Sequence, residues 1–287
     1  MKNAFAVIIA LLALGTLYFI LNDNTSLFAE ESRSGDRIEV TKKIDHIDLN
    51  MESSNTEVIP TDQNEVKVEM KGKGTLTLTQ QGETIEVAVK HKWYEWVGFN
   101  RTSNVTVYIP KEYERSMGID IGSGNLVMAG ESKAMRMKLD KLVVEMGSGD
   151  MELANLETNV FSHDGSSGNM IVNALSTKEG NVEISSGDVK LTNYEGPLKG
   201  DLSSGELTVS MTALKGDLNF DVSSGGVNLD LPEDASFKLN GNASSGDISC
   251  NLPLQNQKID NGDIWGVAGS GKYTINVSVS SGNVDIY

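Results

Sequence analysis

The chain has 287 residues, a formal net charge of −16 and only 6% aromatic residues. So acidic a surface repels phosphate backbones, which sets nucleic acid aside as a partner. The single cysteine, Cys250, rules out an intramolecular disulfide and a thiolate zinc site, and His46, His91 and His163 lack ligand spacing, so no metal and no cofactor is expected.

Residues 4–21 (AFAVIIALLALGTLYFIL) form an almost unbroken apolar run. Eighteen helical residues reach about 27 Å, close to the thickness of a bilayer's hydrocarbon core. Lys2 precedes the run, and Asp23, Glu30 and Glu31 follow it. The positive-inside rule then leaves the N-terminus in the cytoplasm and exports the rest. A cleaved signal peptide fits less well, because Leu27-Phe28-Ala29 is a poor small-residue cleavage site and no lipoprotein cysteine follows. Residues 1–22 are expected to be a transmembrane helix and 23–36 a polar tether. The protein then sits in the cell membrane as a single-pass protein with an extracytoplasmic C-terminal domain.

Residues 37–116 alternate apolar and polar side chains in IDHIDLN (44–50), EVKVEMK (65–71), TLTLTQ (75–80), TIEVAVKH (84–91) and NVTVYIP (104–110). Such alternation marks strands, with Gly72, Gly74 and Gly82 at turns between them. This segment is expected to form an N-terminal β cap or irregular first coils.

From 117 to 287 one unit repeats. Ser-Gly recurs in one context with its glycine at 124, 149, 168, 187, 205, 225, 246 and 282, and the central spacings are 19, 19, 18, 20 and 21 residues. A period near 20 indicates a solenoid; propeller blades need about 40. The second and fourth residues after each glycine are always apolar, from Leu126/Met128 through Leu207/Val209 to Val284/Ile286. That is the period of a half-buried strand. Pairs such as Val144/Met146, Val182/Ile184, Phe220/Val222 and Val277/Val279 place a second strand before the corner. The fold class is therefore all-β: a β-helix-like stack of two-strand rungs with Ser-Gly corners. Glycine at the corner is expected to supply a positive φ, and aligned serines to hydrogen-bond between rungs. Cys250 falls on an inward position, as a core filler. One rung burying four apolar side chains gains roughly 6–12 kcal/mol, less than the backbone entropy of ordering it, so each rung needs its neighbours.

Several motifs were weighed for chemistry. GVAGSGK (266–272) imitates a phosphate-binding loop, but Tyr273 replaces the magnesium-binding hydroxyl and a strand pattern follows. Asp150, Asp188 and Asp247, with Asn125, Asn169 and Asn283, follow corner glycines; turn chemistry accounts for them without calcium. His163 and Gly165 interrupt the aliphatic pattern, so His163 with Asp164 is a candidate binding or proton-transfer pair, against a bulge in which Phe161 supplies the core contact. Trp93, Tyr94 and Trp96 concentrate aromatic surface, as does Trp265 in the longest insertion, 251–274. Aromatic rings of this kind stack on sugars as well as pack in cores.

VTVYIP (105–110), the SSGD/N rungs and the closing WGVAGSGKYTINVSVSSGNVDI (265–286) resemble a bacterial envelope family of unknown function labelled "putative adhesin". With its short anchor the chain is also similar to LiaG-type proteins associated with cell-envelope stress in Gram-positive bacteria. The resemblance implies a β-helix-like fold, an envelope location and no catalytic residues. The expected role is a non-enzymatic, membrane-anchored interaction scaffold or adhesin-like surface whose partner is an envelope protein or a cell-wall polymer. The alternatives are a cell-wall glycan-binding module and a polysaccharide-acting β-helix enzyme.

Overall fold

The computed structural model describes residues 36–91 and 103–287, which are strand and turn throughout. The expected anchor, nearly all of the tether, and Trp93, Tyr94 and Trp96 lie outside the described residues. Among the described residues no helix is long and apolar enough to cross a membrane.

Strands are numbered in chain order. The alternating segments stack as two columns of parallel strands, joined level by level through the Ser-Gly corners. The first column, before the corner, runs β6 (Thr84–Lys90), β2 (His46–Met51), β8 (Ser116–Ile121), β10 (Met137–Met146), β11 (Asp150–Gly165), β12 (Asn169–Ile184), β14 (Leu198–Leu202), β16 (Leu218–Val222), β22 (Tyr273–Val279) and β18 (Phe237–Ala243). The second, after the corner, runs β7 (Ser103–Pro110), β3 (Ser54–Thr61), β9 (Asn125–Ala129), β11, β12, β13 (Asp188–Tyr194), β15 (Glu206–Met211), β17 (Gly226–Asp230), β23 (Asn283–Ile286) and β19 (Asp247–Cys250). The 16-residue strands β11 and β12 each serve both columns and build a short third side between them, where Leu156 pairs with Met137 and Leu175.

The inward positions lie one above another. Leu153 pairs with Val172, Val172 with Leu191, Leu191 with Val209 and Val209 with Leu229. All are buried, and they belong to one apolar core running through the stack. Cys250 departs from its expected place: it is only half-buried, because its rung is the last of the second column and nothing covers it but Leu252 and Leu254. Burial still pushes its thiol pKa up.

The corner glycines have a different cause from the one expected. None of them has a positive φ. Instead, a Cβ on Gly149, Gly168, Gly187, Gly205, Gly225, Gly282 or Gly246 would collide with the carbonyl oxygen of the corner glycine on the neighbouring level. The corners pass so close that no side chain fits between them. The serine ladder is corrected in the same way. Backbone amides, not hydroxyls, link the serines between levels, as in Ser186 N to Ser166 O (2.8 Å) and Ser224 N to Ser203 O (2.9 Å).

At both ends the level order departs from chain order. The chain builds β16 and β17, skips a level to lay down β18 and β19, and forms an antiparallel hairpin of β20 (Gln255–Asp260) and β21 (Asp263–Ala268) on β18. It then returns to fill the vacant level with β22 and β23. At the other end β2 and β3 are enclosed between β8/β9 and the later β6/β7. There β4 (Glu65–Lys71) pairs antiparallel with β7 and with β1 (Arg37–Glu39), and β5 (Thr75–Gln81) pairs antiparallel with β6. Each end is thus closed by antiparallel strands, and the C-terminal strand is interior.

Candidate functional surface

His163 lies inside the core. β11 runs through it without a bulge, and it pairs with Val144 and Val182. Phe161, His163 and Gly165 all point inward, and the imidazole fits because Gly165 has no Cβ to meet its Nε2. Neither ring nitrogen has a hydrogen-bond partner, and burial lowers the pKa to about 4. Asp164 is exposed on the opposite face of the strand, so the two side chains do not meet.

Asp164 instead belongs to a row the sequence reading missed. Asp120, Glu145, Asp164, Glu183, Asp201 and Asp221 occupy one outward position on successive levels of the first column. Levels lie about 4.8 Å apart, and like charges in register repel. Lys199 relieves one of them, at 2.7 Å from Asp201. Among the described residues no group of three or more His, Cys, Asp or Glu is arranged to hold a metal.

Trp265 sits on β21, half-buried, as cross-strand neighbour of Asn240 and Lys258. Asn240 ends an amide ladder in which Asn240 donates to Asn276 (2.9 Å) and Asn276 to Asn219 (2.8 Å). The Lys258 ammonium lies 5.3 Å from the Trp265 ring centre and occupies one face of the ring. The arrangement is a polar amide surface ending in an aromatic ring with one face engaged. In the second column Asn169 donates to Asp150 at 3.0 Å, so these corner residues bond to each other. The segment 266–272 forms the end of β21 and a turn in which Gly269 and Gly271 have φ of 57° and 67°; a strand follows, not a phosphate-binding helix.

A second pair was not legible in the sequence reading. His46 Nε2 lies 2.7 Å from Asp48 Oδ1 on the outward face of β2, both side chains about one-third exposed. Gly118 on the next level leaves them room. The i, i+2 spacing on an alternating strand places both on one face, and that was the available signal.

Against known proteins, the model of the family "Toastrack DUF4097" matches residues 44–287. Two solved structures are similar in part. One is a "putative cell adhesion protein" from Clostridium sporogenes, with 11% identity, a TM-score of 0.29, and 87% of this chain and 95% of that one covered. The other is a "putative adhesin" from Bacteroides fragilis, with 11% identity, a TM-score of 0.38, and 90% and 98% covered. A comparison with curated proteins gave no significant match. The family match spans the stack from the strand before β2 to the last residue, and the chain belongs to the Toastrack DUF4097 family.

Proposed function

We propose that the chain is a non-enzymatic, single-pass membrane protein whose solenoid stands outside the cytoplasm as a rigid, adhesin-like scaffold for envelope proteins or cell-wall polymers, with a role in cell-envelope stress. The observation that supports this reading most is the outer surface of the first column. It carries in-register rows of polar and charged side chains over many levels, held by a continuous backbone ladder. Rows of this kind suit an extended partner, as in other solenoids. The acidic row favours a neutral or cationic one. The apolar run at 4–21 and its flanking charges support the anchor and its orientation. Proximity labelling from the C-terminal domain in living cells tests the reading: envelope proteins are expected among the neighbours, and a cytoplasmic set would overturn it.

A glycan-binding reading is favoured by one observation, Trp265 at the end of the asparagine ladder. Retention of the protein on purified cell wall is then lost in Trp265→Ala. Unchanged retention in that variant and in Trp93→Ala/Trp96→Ala ends the idea.

A further inference from the structure

The solenoid's outer strands are protected unequally. β1 is three residues long and carries Arg37 and Glu39. β19 is four residues long and begins with Asp247. β20 carries Lys258 and Asp260, has a register irregularity between Gln255 and Lys258, and places Asn256 at φ 53°. Short length, charge and bulges are the devices that stop sheet edges from pairing with other chains. β5 has none of them. It is seven residues long, TLTLTQQ, and pairs with β6 along its whole length without a register shift. It contains no charged residue and no proline, in a chain with 22% charged residues. Among the described residues no strand pairs with its other edge.

We infer that β5 is a dimerisation edge, which pairs antiparallel with β5 of a second copy of this chain. Full overlap of the two strands sets the register. Thr75–Gln81 superimposes on its reversed copy only when Leu78 lies opposite Leu78. Leu76 then faces Gln80, Thr77 faces Thr79 and Thr75 faces Gln81. Inward positions meet inward positions, so the two first columns join into one sheet. The same register carries the pairing past the strand ends, where Lys73 of each copy comes to lie beside Glu83 of the other. Both are exposed and neither makes an ion pair within its own chain. Two copies with net charge −16 repel over most of their surfaces. An uncharged edge flanked by one cation and one anion in complementary positions is where they can meet.

The test is the mass of the full chain in detergent, by light scattering across a concentration series, for the wild type, Lys73→Glu, Glu83→Lys and the double exchange. The wild type is expected to form a dimer that dissociates on dilution. Each single exchange places like charges together at both ends of the junction and weakens the dimer about tenfold. The double exchange restores it, and that restoration depends on the register. Thermal unfolding measured alongside should be the same for all four proteins, since neither residue is buried. A chain that stays monomeric up to about 1 mM, or a dimer indifferent to both single exchanges, overturns the inference. These outcomes do not bear on the proposed envelope role, which proximity labelling tests separately.

Discussion

Gly225 and Gly226 are adjacent, yet an alanine at each should act in opposite directions. A Cβ on Gly225 would run into the Gly205 carbonyl oxygen, with the Gly205 nitrogen and carbonyl carbon both 3.3 Å away. That same oxygen accepts a hydrogen bond from Gly226 N at 3.0 Å. Relief requires the levels to separate at the corner, which strains packing by about 1–3 kcal/mol and loses a buried hydrogen bond of about 0.5–1.5 kcal/mol. Gly225→Ala should therefore destabilise by about 2–4 kcal/mol, a fall in Tm of roughly 5–15 °C for a domain of this size. On Gly226 the nearest atoms to a new Cβ are Asn283 O at 3.9 Å and Glu206 Cγ at 4.0 Å. Its φ is not positive, so Gly226→Ala meets nothing and should be neutral or stabilise by about 0.5 kcal/mol through the unfolded chain. Urea denaturation of the two variants measures the difference. Equal effects would refute close approach as the reason for the corner glycines.

Three further outcomes follow from the same geometry. His163 titrates near 6.5 when unfolded and at about 4 when folded, so the unfolded chain binds the extra proton. Stability is then full above pH 6.5 and falls as pH drops towards 4, by about 3 kcal/mol. His163→Val should remove that slope in urea titrations at several pH values; an unchanged slope would count against the buried imidazole. Ala174 holds a left-handed φ of 61° while buried, and Ala174→Gly should stabilise by about 1 kcal/mol in thermal melts. Deleting 283–287 removes Val284 and Ile286 from the core, about 3–6 kcal/mol of apolar burial. Amide exchange should then accelerate in β19 and β17 while β11 and β12 keep their protection; protection retained in β19 would contradict an interior C-terminal strand.

The stack itself was legible in the sequence because its signal is periodic. Fifteen of the sixteen apolar positions after the corners are buried, and Cys250 is the exception only because it is terminal. The order of levels was not legible. Every rung presents the same apolar pair to its neighbours, so β23 fits on β17 as well as β19 does, and only the long insertion at 251–274 marked the place where the order changes. The corner glycine was recognised for the wrong reason, since one residue type answers both a positive φ and a close approach, and only coordinates separate them. At His163 the break in pattern was visible, but the expected bulge is absent because Gly165 leaves the ring its space. The acidic row and the His46–Asp48 pair depend on register across levels and on side-chain placement, which a single sequence does not show.

The account rests on levels that stack in the order β17, β23, β19, with Asn228, Asp285 and Ser249 sharing one outward position. In a Cys250→Ser background, cysteines at 228 and 285 are then about 5 Å apart between α-carbons and should oxidise to a disulfide. Cysteines at 228 and 249 are two levels apart, about 10 Å, and should not. A 228–249 disulfide with none between 228 and 285 would mean that the rungs stack in chain order, contrary to this structure.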